Sequence, residues 1–219
     1  MQMKHIQNTA PADNRFQTYF VDDNHQIRMS MSFILDSFGI GHEMFASGEA
    51  FLDQLATLSP GPVLLDIRMP GIDGIGVLTA LADRCVKWPV IMMTGHGDVG
   101  IAVTAMKMGA IEFLEKPFSP ETLIDSLARG FHILSQVSQV EQEQAVARSR
   151  LAALTPRESD VVHSLIDGSA NKIVAYKLGL SPRTVEMHRA NVFAKLGLRS
   201  VAGLIRVVSE AGDDRHLPL

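Results

Sequence analysis

Between Gln17 and Lys116, five short apolar runs each end on a polar residue and are each followed by a segment of helical periodicity. Gln17 to Val21 leads into Asp22 and Asp23, after which Ile27, Met31, Ile34, Leu35 and Phe38 recur at helical spacing. Gly39 to Gly41 ends that helix. His42 to Phe45 reads as a second strand, and Ser47 caps a helix reaching Leu58 before the turn Ser59-Pro60-Gly61. Val63 to Asp66 is the third strand, followed by a loop to Gly74 and a helix near Ile75 to Arg84. Pro89 to Thr94, a Gly-rich loop and a helix from about Asp98 to Met108 make the fourth unit. Ile111 to Leu114, with a helix entered through Ser119 as cap and Pro120 as first helical residue, makes the fifth. Continuously apolar strands are buried on both faces, so the pattern predicts an α/β doubly wound five-stranded parallel sheet with the flavodoxin-like order 2-1-3-4-5.

In such a sheet the functional crevice lies at the carboxyl ends of the strands. The residues expected there are Asp22 and Asp23 after the first strand, Asp66 after the third, Thr94 after the fourth and Lys116 after the fifth. Three converging carboxylates repel one another unless a cation sits among them, and an oxygen-only ligand set points to Mg²⁺, which keeps positions open for a phosphate. Thr94 adds a hydroxyl donor and Lys116 a point charge, the groups that phosphoryl oxygens need.

Gly95 to Gly100 matches G-x-G-x-x-G after a strand, the form of a dinucleotide-binding loop. That fingerprint belongs on the first strand of its fold, and the reading leaves the three aspartates unexplained, so an oxidoreductase is not expected. His96 in that loop is expected to pack or to neighbour a phosphate rather than to ligate a metal.

The chain of 219 residues has room for a second, smaller domain, and its charge says of what kind. Residues 1–135 hold 9 Lys and Arg against 15 Asp and Glu, whereas residues 169–206 hold seven basic residues against Glu186 alone. A basic half joined to an acidic one suggests nucleic acid at one end and metal or phosphate chemistry at the other. From Phe131 to Thr155 there is neither Gly nor Pro, and Leu134, Val137, Val140, Gln144, Ala147 and Leu151 keep helical spacing. A helical linker is expected, able to run on from the fifth helix through Gly130, and to serve mainly as an amphipathic connector.

Thr155, Pro156 and Glu158 form a capping box that opens a helix to Asp167. Asn171 to Leu178, the turn Gly179-Leu180, and a third helix from Ser181-Pro182 to Leu196 fit an all-α helix-turn-helix domain. The third helix is expected to enter the major groove. Val185, Val192 and Leu196 should face inward, leaving Arg183, Glu186, Met187 and Ala190 for the groove. Lys172, Thr184, Arg189 and Lys195 complete the expected DNA contacts; His188 either touches phosphate or packs beneath the helix.

Residues from about 16 to 130 resemble the receiver domain of two-component response regulators through Asp22-Asp23, L-D-I-R-M-P-G-I-D-G, M-T-G-H-G and F-L-E-K-P-F. The run from L-T-P-R-E-S-D to R-T-V-E-M-H-R-A-N-V-F-A-K-L-G resembles a LuxR-type DNA-binding domain. Together they resemble the NarL/FixJ family over about 190 of the 219 residues. The resemblance implies that Asp66 accepts a phosphoryl group from a sensor histidine kinase, and that Asp23, Asp66 and the Arg68 main-chain carbonyl hold Mg²⁺, with Asp22 acting directly or through water. It also implies a cis Lys116-Pro117 peptide and a Phe113 that turns inward on activation. Many relatives have Lys where Glu186 stands.

The expected division is a tail over 1–14, a receiver over 15–132, a helical linker over 133–152, a LuxR-type domain over 153–212 and a tail over 213–219. The expected function is a transcription factor, not an enzyme: an aspartyl-phosphate hydrolase would need an acid two residues after Asp66, where Arg68 stands. Its expected partners are the kinase, double-stranded promoter DNA, RNA polymerase and, on phosphorylation, a second copy of the chain. The polar amino terminus and the lack of a spanning apolar stretch predict a cytoplasmic protein with no membrane partner. A single cysteine, Cys85, precludes an internal disulfide and is expected to be a small buried or half-buried residue.

Overall fold

The computed structural model describes residues 16–95 and 99–212. The expected tails, His96 and a helix start at Asp98 lie outside the described residues. Two compact units divide between Gln136 and Val137.

The first unit is built on five parallel strands, β1 (Thr18–Val21), β2 (His42–Phe45), β3 (Val63–Asp66), β4 (Val90–Thr94) and β5 (Glu112–Glu115), in the order β2-β1-β3-β4-β5. Between them run α1 (His25–Ser37), α2 (Gly48–Gln54), α3 (Gly74–Asp83) and α4 (Val99–Lys107); α5 (Pro120–Ala152) follows β5. Successive strand residues supply opposite faces of the sheet. Tyr19, Val21, Val63, Leu65, Val90 and Met92 pack with residues of α2, α3 and α4, while Phe20, Leu64, Ile91 and Met93 pack with α1 and α5. The strands thus read as unbroken apolar runs because both faces are covered, and each such side chain contributes roughly 1.5–3 kcal/mol of burial.

The expected helix from Ser47 to Leu58 is shorter than read: α2 stops at Gln54 and Leu55–Thr57 tighten into a 3₁₀ turn. Cys85 is exposed and not buried. It follows the Arg84 C-cap of α3 with φ +56°, a left-handed position that helices ordinarily close with glycine. Gly130 does not break α5, and its missing Cβ leaves room for Pro62, whose nearest atom would lie 3.1 Å from an added Cβ.

The second unit has α6 (Pro156–Ile166), α7 (Asn171–Leu178), α8 (Pro182–Leu196) and α9 (Val201–Glu210). α6 and α8 stand where their capping signals put them, and α7 ends at the Gly179 turn as read. The fourth has no counterpart in the expected elements, yet its Leu204 and Val208 complete the core formed by Val161, Val174, Val185, Val192 and Leu196. The carboxyl-terminal part of α5 is more than a connector: Ala147 is buried against Val207 and Ala211 of α9, and Arg148 Nε donates to the Ala211 carbonyl at 2.8 Å. No helix among the described residues is long and apolar enough to cross a membrane.

Candidate functional site

Strand register assembles the first site. Asp66, the last residue of β3, pairs with Met93 on β4, and Thr94 follows Met93 and pairs with Glu115 on β5. Lys116 N donates to the Thr94 carbonyl at 2.7 Å, which fixes the lysine at the same end of the sheet. Asp22 follows β1, where the Asn24 N–H donates to its Oδ1 at 2.9 Å and Arg28 Nη1 donates to its main-chain oxygen at 2.7 Å. Asn24 also caps α1, accepting from the N–H groups of Gln26 and Ile27.

Carboxylate oxygens of Asp22, Asp23 and Asp66 lie within 4.8 Å of one another. Asp22 and Asp66 are buried, at 1% and 8% exposure, while Asp23 faces solvent. The Lys116 ammonium bridges the buried pair, donating to Asp22 Oδ2 and to Asp66 Oδ1 at 2.7 Å each. Burial pushes the Asp66 carboxyl above its usual range; the Lys116 hydrogen bond and charge oppose this, and the charges of Asp22 and Asp23 add to it. Burial works to lower the Lys116 pKa, but the hydrogen bonds and charges of the two aspartates outweigh it and hold the ammonium above its ordinary value. Thr94 is 1% exposed, with its hydroxyl donating to the Gly95 carbonyl at 3.0 Å.

The loop after Asp66 is tied down by a residue that the sequence did not single out. Glu49 Oε1 accepts from the Ile72 N–H at 2.7 Å, and the backbone donors of Glu49 itself and of Ile72 hold its carboxyl below the usual range. Arg68, in that loop, is an exposed residue. Phe113 on β5 is half-buried against the cluster containing Met92 and Ala105, beside α4. The Lys116-Pro117 peptide is cis. An all-oxygen set of three aspartates with one exposed member suits a hard divalent cation, so the residues present fit Mg²⁺.

The second site lies on α8. Ser181 caps it, accepting from the Thr184 N–H at 3.1 Å, and Pro182 takes the first helical position. Val185, Val192 and Leu196 are buried, as their spacing predicts. Arg183, Glu186, Met187 and Ala190 are exposed on the other side, as is Lys172 on α7. Thr184 spends its hydroxyl at the cap, 2.8 Å from Ser181 Oγ. His188 is half-buried. Arg189 reaches Asn171 Oδ1 at 3.5 Å and lies over the Phe193 ring, 5.6 Å from its centroid.

Lys195 is employed inside the domain, its ammonium 2.7 Å from Glu158 Oε2. That carboxylate also accepts from Thr155 N and Oγ1, so it joins the start of α6 to the end of α8. A groove of about 440 Å³ runs along the exposed side of α8, lined by Glu186, Arg189 and Ala190 together with Asn171, Arg199 and Ser200. The last three were missed in the sequence because the residues flanking them announce helix boundaries, not a surface; only the basic count over 169–206 held a hint of Arg199.

Residues 19–128 match the family described as response regulator receiver domain, and residues 152–208 the one described as bacterial regulatory proteins, luxR family. The transcriptional regulatory protein FixJ of Bradyrhizobium diazoefficiens is 43% identical over 197 residues, covering 89% of this chain and 95% of that protein. FixJ of Rhizobium meliloti is 39% identical over 198 residues, covering 90% and 97%. Among solved structures, the response regulator StyR aligns with a TM-score of 0.77 at 36% identity, over 89% of this chain and 99% of that one. Full-length FixJ from B. japonicum aligns with a TM-score of 0.58 at 40% identity, over 91% and 98%. The acidic pocket, the exposed basic helix and these matches converge: the chain belongs to the NarL/FixJ family of two-component response regulators, which are transcription regulators pairing a receiver with a LuxR-type DNA-binding domain, and not enzymes.

Proposed function

We propose that Asp66 is the phosphoacceptor of a sensor histidine kinase, and that its phosphorylation switches dimerisation and sequence-specific DNA binding in the cytoplasm. The bridging of Asp66 and Asp22 by the Lys116 ammonium, at 2.7 Å to each, is the observation that most supports this. An Asp66 carboxylate oxygen attacks the phosphorus of a phosphohistidine, a P–O bond forms as the P–N bond breaks, and the electron pair returns to the imidazole. Asp22, Asp23, Asp66 and the Arg68 main-chain carbonyl would hold Mg²⁺, which when bound neutralises the carboxylates and phosphoryl oxygens. The new group brings negative charge and acceptor oxygens beside Lys116 and the Thr94 hydroxyl.

In this reading Thr94 shifts toward the phosphoryl group and Phe113 rotates into the space released. The face of α4 and β5 changes shape and becomes a dimer surface. Val103 is 51% and Met106 47% exposed on α4, beside Lys107, which supports that choice. Two α8 helices are then presented to half-sites related by two-fold symmetry, with Lys172, Arg183, Thr184, Glu186, Met187, His188, Arg189 and Ala190 toward DNA, and RNA polymerase is recruited or excluded there. Lys195 enters this set only by exchanging its Glu158 partner for a phosphate.

With Mg²⁺ and a small phosphodonor, the protein is expected to gain one acid-stable, base-labile phosphoryl group, and Asp66→Asn to gain none. Equal labelling of the variant, read by intact mass, removes Asp66 from its role.

A further inference from the structure

The stretch 169–206 contains seven cations and one anion, and the anion stands on the face offered to DNA. Glu186 lies at the centre of the exposed row Arg183, Glu186, Met187 and Ala190, opposite the buried row Val185, Val192 and Leu196. Its carboxylate makes no hydrogen bond or ion pair among the described residues. Partners are within helical reach, since Arg183 and Arg189 are each three residues away. The Arg189 guanidinium is drawn instead to Asn171 and the Phe193 ring, which leaves Glu186 open on the wall of the groove.

An unpaired carboxylate placed against a polyanion repels it and adds nothing to sequence-independent binding. It becomes an asset only where it meets a hydrogen-bond donor on a base. The major groove offers two such donors, the amines of adenine and cytosine. Adenine presents an acceptor nitrogen beside its amine, which suits an amide and opposes a carboxylate, whereas the cytosine amine is met well by a carboxylate oxygen.

We infer that Glu186 sets the base at one position of each half-site by accepting a hydrogen bond from the exocyclic amine of cytosine. This deepens the reading of α8 as the DNA-reading helix and rests on it. Met187, 53% exposed, and Ala190 flank Glu186 with apolar surface fitted to a thymine methyl on a neighbouring base pair. The arrangement divides the helix into a positioning part, led by the exposed Arg183 at its start, and a reading part centred on an acid.

The test is selection from a random duplex library by the full chain, treated with a phosphodonor, at one stated salt concentration. Wild type, Glu186→Gln and Glu186→Ala are compared. Wild type should enrich cytosine about tenfold at one position per half-site; Glu186→Gln should move that position to adenine, and Glu186→Ala should flatten it, with the other positions kept. The substituted side chain is exposed, and unchanged helical signal and melting confirm that each variant is folded. Identical base preferences in all three proteins would overturn the inference. So would a Glu186→Ala protein that binds every sequence more tightly with unaltered preferences, since Glu186 would then merely repel phosphates. A wild type that enriches no sequence overturns the DNA-reading assignment of α8 itself, an outcome distinct from the other two.

Discussion

Asp23 is the exposed member of the three clustered aspartates, and among the described residues no lysine is drawn to it as Lys116 is to Asp22 and Asp66. Removing it costs the fold little and the metal site much, because Mg²⁺ sheds hydration water reluctantly and needs several anionic oxygens to do so. Asp23→Ala is therefore expected to abolish Mg²⁺ binding measured by calorimetric titration while leaving the melting temperature nearly unchanged; unaltered metal affinity would exclude Asp23 from the site. Glu158 presents the opposite case, an anion that supports the fold. The Lys195 and Thr155 hydrogen bonds lower its carboxyl from 4.5 to about 2. A depressed carboxyl contributes stability that is full above its unfolded value and is lost as pH falls toward the folded one, so the window runs from 4.5 down to about 2. The difference in melting temperature between wild type and Glu158→Gln should shrink across that window and be constant above it, which thermal melts at stepped pH will check. The acids at the sheet edge were legible in the sequence because each ends an apolar run. The Lys195 partner was not, since a lysine at a helix end reads equally as a phosphate contact until the fold brings Glu158 beneath it.

At the scale of elements, the junction between β3 and α3 decides whether Asp66 is presented. A Cβ on Gly74 would lie 2.4 Å from the Asp66 carbonyl oxygen and 2.9 Å from the Ile67 Cα, both of them backbone atoms that cannot swing aside. Gly74→Ala is expected to cost roughly 1–3 kcal/mol by displacing that backbone and to slow phosphoryl labelling of Asp66. Trp88, the single tryptophan of the chain, stacks on Tyr19 at 5.3 Å between ring centroids, so denaturant unfolding followed by its fluorescence reports the first unit and will show the loss. A midpoint equal to wild type would mean that the junction yields without strain. Many strands and helices were readable because caps and breakers announce them: Ser47, Thr155 and Ser181, read as caps, accept from the first turn that they precede, and Asn24 and Asp73, not read as caps, do the same. Helix α9 was missed although Ser200 caps it in the same way, accepting from the Gly203 N–H. Gly203 lies one turn inside that helix and lowers its intrinsic propensity, and what fixes the helix is burial of Leu204 and Val208 in a core that the local sequence does not reveal. The end of α2 was misread for a related reason, because Leu55 is buried whether the chain there is α-helical or tightened.

The acidic first unit and the basic stretch of the second give the molecule two separate electrostatic tasks, and the proposed switch has to couple them. If phosphorylation acts by dimerisation, no contact between α8 and DNA changes, and the gain in affinity comes from holding two reading helices at once. Binding to an operator with two half-sites should then strengthen on phosphorylation while binding to one isolated half-site barely changes. By linkage, operator DNA should favour the dimer by the same factor. A receiver that instead masks α8 until phosphorylated predicts equal gains on both duplexes, because releasing a blocked helix strengthens every contact that it makes. Fluorescence anisotropy with the two duplexes, with and without a phosphodonor, separates these outcomes if the salt concentration is fixed, since each phosphate neutralised by Arg183 or Arg189 steepens the salt slope by roughly 0.9. Exposure of Val103 and Met106 on α4 favours dimerisation, and their replacement by Ser should remove the full-site gain and leave half-site binding intact. A half-site gain as large as the full-site gain would turn attention from α4 to α5, the continuous helix that spans both units.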